Sequence, residues 1–179
     1  MKIFITVIIL ITLLIRCSTN SAEVDQYRIY SAIIDSEFSH LNLKKPTQLI
    51  IVNDTICDFI DELSVLEYSV EHNSSFSKEY LEGDTTFNDF ILNIKKVNTN
   101  NEVMLFKKIK SAYNYRIETS SRNSMSKKGY YINFSKIVFN KARDRALLFI
   151  TDMSSGSSYL MHREGKEWVV KHKVNSYNY

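Results

Sequence analysis

Glycine, proline and cysteine are scarce in this chain, at four, one and two residues in 179. So few glycines leave no Gly-rich loop of the kind that cradles a phosphate. The single proline, Pro46, and the lack of any Gly-rich tract leave no linker to divide the chain into domains. G-x-S-x-G, H-E-x-x-H and C-x-x-C are all absent, which removes the familiar nucleophile elbow, zinc helix and redox pair. A charge excess is missing too. The 23 Lys and Arg oppose 20 Asp and Glu, and without Lys2 and Arg16 the balance is 21 to 20. That balance does not indicate a nucleic-acid binder, which is recognised by a strong basic excess on one face.

What is present begins at the N-terminus. Met1-Lys2 supplies a positive start, and Ile3 to Ile15 is apolar apart from Thr6 and Thr12. Such a run matches the roughly 7–15 residues of a secretory core and falls short of the about 20 that span a bilayer. It ends at Cys17, followed by polar Ser18-Thr19-Asn20-Ser21. The segment resembles a bacterial lipoprotein signal, in which the cysteine becomes the lipidated first residue. Leu14 and Ile15 agree with that pattern, whereas Arg16 stands where a small residue is usual. Cleavage further on, for example after Ala22, and an uncleaved anchor are the alternatives. The expectation is a signal peptide over 1–17 and one domain over 18–179, exported and held at the membrane by a lipid on Cys17, or periplasmic or secreted if cleaved elsewhere. Acylation of Cys17 would leave Cys57 alone beside Ile56 and Phe59, an inert buried thiol with no disulfide partner.

Hydrophobic spacing gives the elements. Val24, Tyr27, Tyr30, Ile33, Ile34, Phe38 and Leu41 predict an amphipathic helix over 23–41, and Phe87, Phe90, Ile91 and Ile94 a second over 84–95. Gln48 to Asn53 is a β-branched run suited to a buried strand, and 56–70 has an apolar stripe of ambiguous type. Further strands are expected over 103–107, 113–118, 130–139, 145–151, 158–163 and 167–174. Ser154-Ser-Gly-Ser-Ser158 reads as a flexible connection and Glu164-Gly165-Lys166 as a hairpin turn. Apolar Leu147 to Ile150 calls for a strand covered on both faces. Helices first and strands last argue for an α+β fold, with N-terminal helices packed on a C-terminal antiparallel β-meander.

The meander carries a resemblance. Phe139-Asn140, the charged turn to Asp144, Ala146-Leu147, Tyr159-Leu160 and Gly165-Lys166-Glu167-Trp168 resemble a family of small secreted or lipid-anchored bacterial proteins of uncharacterised function, with a looser echo at Val52-Asn53-Asp54-Thr55. The resemblance implies export and brings no catalytic residues.

Chemistry finds little purchase. Regular alternation puts His172 with Trp168 and Val170 and sends His162 to the opposite face, so the two should not share a metal. His40 ends a helix and His72 opens a loop. Asp58 with Glu62, Asp152 at a strand end, and Arg122, Lys127 and Lys128 in a polar loop read as solvated surface. No catalytic, cofactor-binding or metal residue is assigned, and no cofactor is expected. Aromatic residues are plentiful, with Tyr113, Tyr115, Tyr130, Tyr131, Tyr159, Tyr177 and Tyr179 in the β-rich half. Core packing accounts for most of them; a Tyr-rich surface binding a protein, peptide or glycan is the sharper expectation. The sequence therefore favours a non-enzymatic binding module of the cell envelope. The alternative is an envelope hydrolase whose site gathers dispersed residues, such as His172 with a carboxylate.

Overall fold

A computed structural model describes residues 23–39, 48–53, 55–56, 102–113, 115–120, 129–152 and 155–178. The expected helix over 84–95, the stripe at 56–70, Cys17, Cys57, His40, His72, Asp58, Glu62 and the loop with Arg122, Lys127 and Lys128 lie outside them. So does the 1–17 segment. Among the described residues no helix is long and apolar enough to cross a membrane.

Residues 23–38 form helix α1. Strands follow as β1 (Gln48–Asn53), β2 (Thr55–Ile56), β3 (Glu102–Val103), β4 (Tyr115–Ser120), β5 (Tyr130–Phe134), β6 (Val138–Phe139), β7 (Arg145–Thr151), β8 (Ser155–Glu164) and β9 (Glu167–Asn178). The main sheet runs β4-β1-β5-β7-β8-β9, with β6 also on β7, while β2 and β3 form a separate pair. Among the described residues the fold is α+β: one N-terminal helix and a mixed sheet. It is not a pure antiparallel meander, because β1 runs parallel to both β4 and β5. From β5 through β7, β8 and β9 every pairing is antiparallel.

Burial explains the order. Ile50, Ile51 and Val52 of β1 and Ala146 to Ile150 of β7 are all buried, as strands covered on both faces must be. On one side of the sheet Tyr27, Tyr30, Ile33 and Ile34 of α1 join Ile50, Val52, Ile132, Phe134, Leu148, Tyr159, Met161 and Trp168 in one cluster. Tyr30 stacks on Phe134 at 4.4 Å between ring centroids, and its hydroxyl donates to the Ser135 carbonyl at 3.1 Å. The expected stripe of α1 is buried at Tyr27, Tyr30, Ile33 and Ile34, and differs at two positions. Ile29 is wholly buried, whereas Val24 is 48% exposed.

Three expected elements differ. The strand over 103–107 is only Glu102–Val103, after which Phe106–Lys108 makes a 3₁₀ turn. The strand over 130–139 is broken at 135–137. Ser135 stitches the break, its Oγ accepting the Phe149 N–H at 2.8 Å and its own N–H bonding the Phe149 carbonyl at 2.9 Å. Ser155 to Ser158, read as a connection, belong to β8, where small residues suit a strand buried between β7 and β9.

Of the residues that carry the meander resemblance, Ala146, Leu147, Tyr159, Leu160 and Trp168 are buried in strands, and Asn140 and Gly165 build turns. Asn140 is buried. Its Oδ1 accepts the N–H groups of Asp144 and Arg145 at 3.1 Å each, and its Nδ2 donates to Asp144 at 2.6 Å. Gly165 takes φ +64° in the hairpin, a region that glycine enters without steric cost.

Candidate functional site: the C-terminal end of the helix

β9 departs from the regular alternation that sequence reading assumes. Met161 pairs with Val170, yet Leu160 pairs with His172, so Lys171 is an extra residue opposite β8. A β-bulge of this kind exchanges the faces of the residues that follow it, here as far as a second register shift opposite Gly156 and Ser157. Tyr159 and Met161 face α1 and Leu160 faces away, so His172 lies on the far side from Trp168. His162, opposite Val169, is on that far side as well. The expected separation of the two histidines is thus wrong, and they are diagonal neighbours. Among the described residues, however, no three His, Cys, Asp or Glu side chains converge to hold a metal ion.

The same bulge turns Lys173 toward the helix. Its ammonium lies 2.6 Å from a Glu37 carboxylate oxygen and 5.5 Å from the centre of the Tyr159 ring. Around them a cavity of about 70 Å³ is lined also by Phe38, Tyr131, Asp152, Ser155 and Ser157. Asp152 accepts from the Ser155 N–H at 2.6 Å and from its hydroxyl at 2.9 Å. Burial pushes the Tyr159 hydroxyl far above the tyrosine range, and the charge of Glu37 and its hydrogen bond with the phenol push the same way. The phenol is therefore a neutral donor, not a base. The cavity has room for a few waters but not for the several hundred Å³ of a bound organic ligand.

Beside it the aromatic residues gather. Phe38, the last residue of α1, meets Tyr130 at 5.4 Å and Tyr115 at 6.4 Å, and Tyr115 meets Tyr113 at 5.7 Å. The Tyr115 hydroxyl donates to the Phe38 carbonyl, one of the acceptors left open by the helix end. Burial, then the charge of Asp35 and the neighbouring Tyr113, raise its pKa. Asp35 holds the cluster in place by accepting from the Ser111 hydroxyl and from the Ala112 N–H, the latter at 2.8 Å. Tyr130 is 41% exposed at the edge of this group.

Of the seven tyrosines singled out by sequence, three share this cluster. Tyr131 lines the small cavity, Tyr159 is core, and the side chains of Tyr177 and Tyr179 lie outside the description. Phe38 reads in the sequence only as part of the helix stripe and Glu37 carries no site signal; their partners are distant in sequence, and only the helix end brings them in. From Tyr113 a groove of about 1110 Å³ continues along α1, past Asp35, Ala32 and Arg28, between Lys107–Ala112 on one side and Glu167–Val170 on the other.

No family model, no curated protein and no solved structure matches the chain. The resemblance at the meander therefore rests on its own residues alone.

Proposed function

We propose that this chain is an exported envelope protein, tethered by a lipid on Cys17, that acts by contact through the aromatic end of α1. In this reading 18–179 is a single domain, its helical part packed on the antiparallel half of the sheet. The partner is a protein, peptide or glycan of the envelope.

The observation that supports it most is the run of four touching rings, Phe38, Tyr113, Tyr115 and Tyr130, opening into a groove. Tyrosine supplies rigid contact area with a polar tip, which is why it concentrates at binding surfaces. Of the three carboxylates that line the groove, Glu23 is paired with Lys108, Asp35 accepts from Ser111 and Ala112, and Glu167 is exposed.

Capture from detergent-solubilised envelopes tests the reading. Wild type should recover a stoichiometric partner, and Tyr113→Ser/Tyr130→Ser should lose it while keeping its fold. Equal recovery by both would contradict the placement. The tether is tested separately by labelling with a fatty-acid analogue, which wild type should take up and Cys17→Ala should not.

The hydrolase alternative has one observation in its favour. Glu37, Asp152, Tyr159, Lys173 and Ser157 come from distant parts of the chain to one cavity. Turnover abolished by Glu37→Gln in a folded protein would favour it.

A further inference from the structure

Four large apolar side chains are exposed among the described residues, and three of them, Val24, Val103 and Leu105, lie at or beside the N-terminal end of α1. Two contacts fix that neighbourhood: the Leu105 N–H donates to the Tyr27 hydroxyl at 3.0 Å, and Lys108 pairs with Glu23. Val103 is 74% exposed, more than any other large apolar residue described. Singly exposed apolar residues need no explanation, but a group of them does.

The same end of the molecule is basic. Arg28 reaches the Lys166 carbonyl, Arg163 reaches Asp25, and the Arg163 N–H donates to the Asp144 carbonyl. Those contacts bring the 140–144 turn and the 164–167 hairpin to the N-terminal end of α1. Its acids are largely answered: Glu23 by Lys108, buried Asp25 by Arg163 and Arg28, and Glu164 by Lys171. Asp144 is held by Asn140, and Glu167 is exposed in the hairpin. Lys107, Lys141 and Lys166, all exposed, have no carboxylate partner among the described residues. At the opposite end of α1 Asp35, Glu37 and Asp152 gather with Lys173 and Lys110, so no such excess of cations appears there.

The third observation is chain length. Cys17 and Glu23 are six residues apart, so the start of α1 can lie no more than about 22 Å from a lipid carried on Cys17. We infer that this face, with Val24, Val103 and Leu105 among lysines, lies against an anionic lipid surface. The inference rests on the proposed tether. The tether confines the domain near the bilayer, apolar tips enter the headgroup boundary, and lysines hold to anionic lipid. It also fixes the orientation: the aromatic end of α1, about 24 Å along a helix of this length, points away from the membrane toward a partner.

The test uses the full chain, purified from membranes with its lipid and reconstituted with vesicles. In a Cys57→Ser background an environment-sensitive dye is placed on Leu105→Cys or, as the remote position, on Ser39→Cys. Flotation with neutral phosphatidylcholine vesicles reports the tether. On vesicles containing a quarter phosphatidylglycerol the dye at 105 should shift to the blue and the dye at 39 should stay aqueous. Lys107→Glu/Lys141→Glu should weaken the 105 response roughly fivefold per lysine, as should high salt. Flotation with an aqueous signal at 105 overturns the inference and leaves the tether standing. Failure to float on either vesicle overturns the tether and the inference together. A dye at 105 that is shielded in native envelopes but not on pure lipid assigns the face to an acidic protein instead, and also overturns the inference.

Discussion

Deleting Lys171 should leave the rest of β9 where it is. Because Lys171 is the extra residue of a bulge, its removal restores regular pairing: Val170 stays opposite Met161, His172 opposite Leu160 and Lys173 opposite Tyr159. The Lys173–Glu37 contact and the cation over the Tyr159 ring survive. What is lost is local twist, together with an exposed contact between Lys171 and Glu164 that water screens. A change confined to the surface in this way should cost on the order of 1 kcal/mol. In urea, with a slope of about 1–3 kcal/mol per molar, that moves the unfolding midpoint by roughly 0.3–1 M. If β9 were regular, the same deletion would turn every later side chain over. Lys173 would leave Glu37, and a different set would face the core cluster, at a cost of several kcal/mol. A loss above about 4 kcal/mol, or a Tyr159 that titrates like an exposed tyrosine in the variant, would refute the bulge.

Asn140→Ala should cost about 2 kcal/mol, since it strips the acceptor from two backbone N–H groups, and should lower Tm by about 4–8 °C in a thermal melt. Gly165→Ala should cost about 1 kcal/mol through backbone strain alone, because nothing lies within 4 Å of the added carbon; Gly165→Asn should be milder. The raised pKa of Tyr159 means the folded state keeps a proton that the unfolded chain releases near pH 10. Its contribution is thus intact below pH 10 and falls as pH rises beyond it, and Tyr159→Phe should flatten that alkaline loss in urea titrations.

Local sequence carried much of the architecture. The apolar runs at 48–53 and 145–151 are strands with those bounds, since a segment buried on both faces needs no partner to declare itself. The hairpin at Gly165 and the burial of Trp168 were legible for a similar reason, turn chemistry flanked by alternating apolar residues. Val24 was misplaced because seven apolar residues in one helix permit more than one buried face. Ser155 to Ser158 escaped because small polar residues carry no strand signal of their own. The bulge at Lys171 was invisible, for a lysine is as acceptable in a regular outward position as in an extra one. That single residue decided the face of His172 and brought Lys173, 136 positions from Glu37, into the small cavity. The candidate site was legible only as a surplus of tyrosine; that Tyr113, Tyr115 and Tyr130 touch, and that Phe38 joins them, follows from tertiary packing.

Contact through the aromatic end of α1 is tested most directly by photo-crosslinking in living cells. A photoreactive residue in place of Tyr130 should give one discrete adduct with an envelope component, while the same group in place of Lys141, at the other end of α1, should not give that adduct. The same adduct from both positions, or none from position 130 while enzymatic turnover depends on Glu37, would contradict it.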